Sequence, residues 1–301
     1  MMTMKVVVTG ASGFIGRNTI VYLLKEGFEI TAVTRPEDET LIHEINSKFI
    51  NIAVESAKVV EQLTEIFAGN DAVIHLVYVP DPDLELFERK NTVANHNVIN
   101  AAMRAGIEKF ITNSGLGVTH LGRRRHTTNG YFRMKKKLED DLVKAWQTAG
   151  MRYIIFRPSY IIGKGDEITP MIAQKIRNGE TISIVGNGRY RMQPISISDV
   201  VQIYCTCTKL NDFDNQILDL VGPKKISYID YIKLIGKIIQ REPLVEYLSK
   251  QDAMNRKVEF GLNEDEIDVL MCDEVGDERL LQKTFDFQLT PLERAIEEAV
   301  E

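Results

Sequence analysis

Hydrophobic positions along this chain gather in short blocks, each followed by a longer amphipathic stretch. The first block is Lys5 to Thr9, KVVVT, and it runs straight into Gly10 to Gly16, a turn into a helix that continues to about Lys25. Glu29 to Thr34, EITAVT, is the next strand; a breaker and acidic cluster at Pro36 to Glu39 leads to a helix and a short strand at Lys48 to Ile52. Another helix ends near Phe67, and Asp71 to Val77, DAVIHLV, supplies a further buried strand. A long helix over Leu84 to Ala105, interrupted or re-entered near Asn91, precedes a strand at Lys109 to Thr112. Tyr131 to Thr148 reads as one strong helix, with an apolar stripe through Met134, Leu138, Leu142 and Ala145. Arg152 to Phe156 is the following strand, stopped by Arg157-Pro158. Apolar strands separated by helices suit a parallel sheet covered on both faces, and these six alternations predict an α/β, doubly wound fold. An open α/β sheet without a nucleotide fits the same alternation.

Beyond Gly163 the alternation weakens. Thr169 to Arg177 reads as a helix, and Thr181 to Val185 and Met192 to Ile195 as short strands around the Gly186-Asn187-Gly188 turn. Ser198 or Asp199 can cap a helix through the Cys205 region. A strand at Asn215 to Leu220, a helix at Tyr228 to Ile239 after Ser227, and short helices in the acidic segment follow, with a last helix starting at Thr290-Pro291-Leu292. The expected division is a nucleotide-binding domain over 1–163 and a mainly substrate-side domain over 164–301, with segments of the latter returning to support the sheet.

Composition narrows the class without naming a function. With 301 residues, 44% hydrophobic and 27% charged, the chain reads as a soluble globular protein of one large or two modest domains. A formal charge of -6 gives no broad field for nucleic acid or an acidic membrane face. No apolar run is long enough to span a bilayer and the N-terminus lacks a secretory pattern, so a cytoplasmic location without membrane insertion is expected. Cys205 and Cys207 point in different directions on a helix, and with Cys272 they read as buried or neutral thiols. No metal set is expected.

The sharpest local mechanism lies in Thr9-Gly10-Ala11-Ser12-Gly13-Phe14-Ile15-Gly16. Gly10 can make the sharp exit from the strand, Gly13 can admit a phosphate close to the backbone, and Gly16 can let the helix lie against the sheet. Free N–H groups at that helix start would hold a pyrophosphate by hydrogen bonds and partial positive charge. Cofactor choice belongs just past the second strand, at Thr34-Arg35-Pro36: Arg35 can pair with a ribose phosphate, which favours NADP(H). Asp38 could instead bind an unphosphorylated ribose, which keeps NAD(H) open, as does Arg35 lying on a wet loop.

Several segments together resemble the extended and atypical short-chain dehydrogenase/reductases, especially the NAD-dependent epimerase/dehydratase kind. They are DAVIHL at 71–76, NTVANHNV at 91–98, RPSYIIG at 157–163, and Gln193-Pro194-Ile195 with Ser198-Asp199-Val200. The resemblance covers most of the chain and implies a Rossmann-like doubly wound parallel sheet with a smaller C-terminal substrate-side domain. It places Leu76, Val77, Asn91, Asn97 and Pro158 beside the cofactor, together with Thr9, Ser12, Phe14, Ile15 and Thr34.

Tyr131 and Lys135 are four residues apart, so they share a helix face, where the ammonium can favour tyrosinate and contact the cofactor ribose. A tyrosine hydroxyl has a pKa of about 10, so proton exchange near neutral pH benefits from such a partner. The resemblance implies that Tyr131 exchanges the proton with a carbonyl or hydroxyl while the nicotinamide carries hydride. It also implies a hydroxyl after the fifth strand. Ser114 is the candidate there, although the family's usual double serine can align Gly115 with that position, and Thr112 or Asn113 are alternatives. His75 reads as structural or at the cofactor edge, His96 as a helix-side residue, and His120 and His126 as loop residues. Arg123-Arg124-Arg125 could attract an anionic substrate or simply be solvated.

The expected function is NAD(P)-dependent oxidation, reduction or epimerisation of a carbonyl or hydroxyl compound, with a nucleotide sugar as favoured substrate and a homodimer as one possible assembly. The alternative is a cofactor-binding structural or regulatory protein, since NGYFRMKKK and GNGRYRMQPISISDV also resemble the NADPH-binding accessory subunit of respiratory complex I.

Overall fold

Val6, Val7 and Val8 are wholly buried, which requires cover on both faces of their strand, and that strand sits inside a seven-stranded sheet. The computed structural model describes residues 3–34, 48–51, 59–81, 83–120, 130–256, 267, 271–279, 281, 285 and 287–301. Its first elements are β1 (Lys5–Thr9), α1 (Phe14–Lys25), β2 (Glu29–Thr34), β3 (Lys48–Asn51), α2 (Val60–Phe67), β4 (Ala72–His75) and α3 (Leu84–Ala105). β5 (Lys109–Asn113), α4 (Gly130–Ala149), β6 (Arg152–Pro158), β7 (Ile161–Ile162), α5 (Ile168–Asn178) and β8 (Thr181–Val185) follow. The remainder holds β9 (Arg191–Met192), β10 (Ile195–Ser196), α6 (Ile197–Lys209), β11 (Gln216–Leu220), β12 (Ile226–Ser227), α7 (Tyr228–Ile238), β13 (Leu244–Leu248), α8 (Lys250–Asn255) and α9 (Leu292–Val300).

The sheet order is β11-β6-β5-β4-β1-β2-β3. β1 runs parallel to β2 on one side and β4 on the other, and the pairs β2 with β3, β4 with β5 and β5 with β6 are also parallel. The chain therefore winds outward from β1 to β3, then returns across β1 to build the other half from β4. Where the winding reverses, between β1 and β4, adjacent connections leave toward opposite sides and open a crevice beyond the strand ends. This is the expected Rossmann-like sheet, followed by a smaller strand and helix region. Val7, Val73, Phe110 and Ile155 share one sheet face and pack against Leu63, Phe67, Val98, Leu138 and Leu142 of α2, α3 and α4.

Contacts divide the chain into two compact units interleaved in sequence. The first comprises Met1–Ser114, Arg133–Arg157 and Val201–Leu218; the second comprises Gly115–Phe132, Pro158–Val200 and Asp219–Glu301. In the first unit, the buried Lys109 ammonium donates to the carbonyls of Cys207 at 2.8 Å and Leu210 at 2.6 Å and lies 3.0 Å from Asp214. Arg152 reaches the same Asp214 at 2.7 Å, so the returning segment is tied to the sheet by ion pairs that share one carboxylate. In the second unit, Ile172, Ile176, Ile182, Ile184, Ile232 and Ile296 form the core. Gln193 is its polar hub: its amide donates to the Gly222 carbonyl at 2.9 Å and accepts from the Gly276 amide at 3.1 Å.

Four expectations are corrected. α3 is continuous through Asn91, whose side chain pairs with the Val79 backbone and also donates to the Phe87 carbonyl one turn back in the same helix. β6 runs on through Arg157-Pro158. The Met192 to Ile195 strand is two separate pairs, β9 with β12 and β10 with β7. Asp199 lies inside α6 and accepts from Thr290 N and Oγ1, both at 2.8 Å, instead of capping its own helix. β13 and α8 were not foreseen. Among the described residues no helix is long and apolar enough to cross a membrane, and no group of His, Cys, Asp or Glu could hold a metal. Cys205 and Cys207 are buried, which pushes both thiols up and away from reactive thiolate.

Candidate active site

The glycine turn stands at the winding reversal, and two of its three glycines are sterically required. Gly10 has φ +71°, and a Cβ there would lie 2.6 Å from the Leu76 carbonyl oxygen at the end of the β4 side. A Cβ on Gly16 would come within 2.2 Å of the Gly10 oxygen, so the first turn of α1 presses directly on the loop. Gly13 is exposed, donates to the Gly10 carbonyl at 3.1 Å and occupies the N-cap of α1, where no side-chain cap bond is made among the described residues. No acidic residue lies in that first turn. The amides that begin α1 thus keep the donor capacity that an anion can use. These residues fit a pyrophosphate: the backbone approach is unobstructed at Gly13 and the turn is held closed at Gly10 and Gly16.

Ser12, Phe14 and Ile15 are half-buried around this turn, and Leu76 and Val77 are half-buried across from it. Thr34 is buried at the end of β2; Arg35 and Asp38, on which the cofactor choice turned, lie outside the described residues. Arg123 to Arg125 and His126 also lie outside them. Asn91 is buried and holds the segment after β4, accepting from Val79 N at 2.9 Å and donating to Val79 O at 2.7 Å. Asn97 is buried on α3, and Pro158, the last residue of β6, is counted with the second unit.

Lys135 is buried on α4, and its Nζ donates to the Asn113 carbonyl at the end of β5 at 3.0 Å. Burial draws its pKa down to about 8, against a smaller upward pull from Glu139. Glu139 sits one helical turn further on and is held by Arg157 through two bonds of 2.8 and 2.7 Å. Asn113 is fixed from its other side by the Tyr204 hydroxyl, which donates to Oδ1 at 2.6 Å. Sequence reasoning offered Asn113 only as an alternative for the polar position after the fifth strand, and it missed Glu139 and Tyr204. The i, i+4, i+8 spacing of Tyr131, Lys135 and Glu139 was a usable signal for Glu139.

Ser114 is bonded through its amide to Phe156 O at 2.6 Å, while its buried Oγ has no hydrogen-bond partner among the described residues. Thr112 donates its hydroxyl to the His75 carbonyl at 2.7 Å and is engaged between strands. In the second unit, Tyr131 is half-buried on the first turn of α4, its ring edge-on to Phe132 at 5.3 Å. A Cβ on Gly115 would meet these two rings at 3.6 and 3.7 Å, ordinary contact distances, so the backbone there leaves room for a Cβ that this chain lacks. Gly117 is different: a Cβ there would strike the Phe132 ring at 1.9 Å. The same unit holds Glu274, whose carboxyl burial pushes up to about 7.

The Lys135 titration has a measurable consequence. An unfolded lysine keeps its proton to about pH 10.5, whereas the folded chain sheds this one near 8, so between those values the unfolded chain binds more protons. Stability must therefore rise with pH across that window. Relative to Lys135→Met, wild type should gain about 3 kcal/mol between pH 7 and 11, read by urea denaturation at each pH. A pH-independent gap would contradict the buried charge.

The family model described as "NAD dependent epimerase/dehydratase family" matches residues 6–217. The chain is 24% identical over 253 residues to a chloroplastic divinyl chlorophyllide a 8-vinyl-reductase of Arabidopsis thaliana, covering 79% of this chain and 58% of that protein. In fold it resembles a UDP-glucose 4-epimerase from Thermotoga maritima solved with UDP-glucose, at TM-score 0.78 and 18% identity over 99% of this chain and 97% of that one. The Bordetella bronchiseptica enzyme WbmH, solved with NAD+, matches at TM-score 0.77 and 18% identity, over 99% and 97%. None of these three is a respiratory-chain subunit, and nothing in them supports that accessory role. With the model spanning both the glycine turn and the Tyr131–Lys135 helix, the chain belongs to the NAD-dependent epimerase/dehydratase family.

Proposed function

We propose that this chain is an NAD(P)-dependent oxidoreductase or epimerase acting on a small carbonyl or hydroxyl compound. The observation that carries the reading is the uncapped start of α1 behind a turn that only glycine can form at Gly10 and Gly16. Those amides would hold the pyrophosphate, and Lys135 would contact the ribose. When bound, the nicotinamide supplies or takes up a hydride. Tyr131 gives its hydroxyl proton to the substrate oxygen in reduction and takes one from the hydroxyl in oxidation. The Lys135 ammonium, one turn along the helix, favours the phenolate that Tyr131 becomes. Ser114 is the candidate for orienting the substrate oxygen.

The Thermotoga relative was solved with UDP-glucose, which makes a nucleotide sugar the first substrate class to test. Arg35 favours NADP(H) over NAD(H). Incubating the protein with [4-²H]NADPH or [4-²H]NADH and UDP-linked ketosugars or simple ketones, then reading deuterium on the product carbon by mass spectrometry, tests the reaction. Deuterium transfer is expected, with Arg35→Asp shifting the preference toward NADH; absence of transfer from either cofactor to every ketone would overturn the enzymatic reading. A second reading, a dinucleotide kept for structure or regulation, draws on Gly115, a glycine at the position where the family's double serine can place its active hydroxyl. Tight dinucleotide binding together with no transfer would favour it.

A further inference from the structure

A file of four side chains joins the glycine turn to the helix that carries Lys135, and the proposed chemistry uses none of its inner members. Thr9 and His75 are register partners in β1 and β4, and Thr9 Oγ1 lies 2.7 Å from His75 Nδ1. On the ring's other side, Nε2 lies 2.9 Å from Asn95 Oδ1 on α3. Asn95 then donates from Nδ2 to Met134 Sδ at 3.5 Å, and Met134 immediately precedes Lys135. All four residues belong to the first compact unit.

The direction of each bond follows from chemistry. An amide oxygen only accepts, so Nε2 carries the ring proton; Nδ1 then has a lone pair and accepts the Thr9 hydroxyl proton. The ring stays neutral, because burial draws its pKa down to about 4, against the bond that Nε2 donates to Asn95 and with a smaller push from the Lys135 charge. Its backbone is pinned too: Thr112 donates to the His75 carbonyl at 2.7 Å and Leu76 N donates to Thr9 O at 3.0 Å. A leucine would fill such a site with no polar group to satisfy. A histidine with both nitrogens engaged instead fixes the angle and distance between three elements.

We propose that His75 is a positioning residue whose imidazole locks the end of β1, from which the phosphate turn springs, to α3 and through Asn95 to the Met134–Lys135 step of α4. Dinucleotide affinity and the placement of the Lys135 ammonium then depend on one connected set of bonds. This rests on the reading that the turn holds a dinucleotide.

The test is a fluorescence titration of NADPH and NADH into the full chain, with thermal melts of every variant. His75→Gln retains one acceptor and one donor, whereas His75→Leu retains bulk alone. The expected result is about a tenfold loss of affinity for His75→Leu and recovery to within about threefold for His75→Gln. Should His75→Leu fail to fold, the cycle of Thr9→Val with Asn95→Leu decides. Each single change is expected to cost about tenfold and the double variant no more, because a broken file cannot be broken twice; independent roles would multiply to about a hundredfold. Multiplied losses, a His75→Gln variant as weak as His75→Leu, or lowered melting temperatures at unchanged affinity would each overturn the positioning role. Wild-type binding with unaffected variants removes this proposal alone, and no binding by wild type removes the dinucleotide reading with it.

Discussion

Tyr131→Phe is expected to lower turnover by about 10²- to 10⁴-fold while leaving dinucleotide affinity within a factor of about two. The substitution removes one oxygen and leaves the ring that packs edge-on against Phe132 at 5.3 Å, so α4 keeps its shape. What disappears is the only group in the proposal that exchanges a proton with the substrate oxygen. A residual rate is expected because binding and orientation of the substrate survive the change. Steady-state kinetics with a substrate that accepts deuterium, together with a cofactor titration, measures both quantities on one preparation. Wild-type turnover in this variant would exclude Tyr131 as proton donor.

Gly16→Ala is expected to weaken dinucleotide binding by about 10- to 100-fold, the equivalent of the roughly 1–3 kcal/mol that overpacking a tight contact costs. The added methyl would stand 2.2 Å from the Gly10 oxygen and 2.9 Å from the Ala11 Cα, both backbone atoms that cannot rotate away. Relief requires α1 to move off the loop, which displaces the very amides proposed to meet the phosphates. Alanine is otherwise a better helix residue than glycine, so a helix-propensity argument alone gives the opposite sign for stability. Cofactor titration and urea denaturation of the same variant separate the two effects. An affinity equal to wild type would show that the turn does not bear on binding.

The parts of the site that could be read in the sequence are those where one residue type is physically demanded. Gly10 and Gly16 are demanded by a positive φ and by backbone contacts that no side chain survives, and the apolar strand before them set their place. The place of Lys135 on α4 was legible because the helical repeat alone sets it four residues from Tyr131. Its acceptor was not, since the Asn113 carbonyl is a backbone atom that any residue at that position would offer. His75 stood out as a histidine in an apolar strand, but its role depends on the β1–β4 register that sets it beside Thr9.

Other misreadings share that dependence on distant partners. Asn91 looked like a helix interruption because asparagine favours turns, yet its amide is satisfied by Val79 twelve residues earlier together with the Phe87 carbonyl, and the helix passes through. Asp199 looked like a cap and instead receives Thr290, ninety-one residues later. The strand β13 carries no clean alternation of buried and exposed positions, which left no period to detect, and it forms by pairing in parallel with β8. The sheet itself was legible because both-face burial writes continuous apolar runs into every central strand.

Hydrogen–deuterium exchange of the full chain with and without NADPH or NADH bears most directly on the amides that begin α1. The account predicts that saturating dinucleotide slows exchange at residues 13–17, and that Gly16→Ala needs about 10- to 100-fold more dinucleotide to reach the same protection. Unchanged exchange across that segment at a dinucleotide concentration shown to saturate the protein would contradict it.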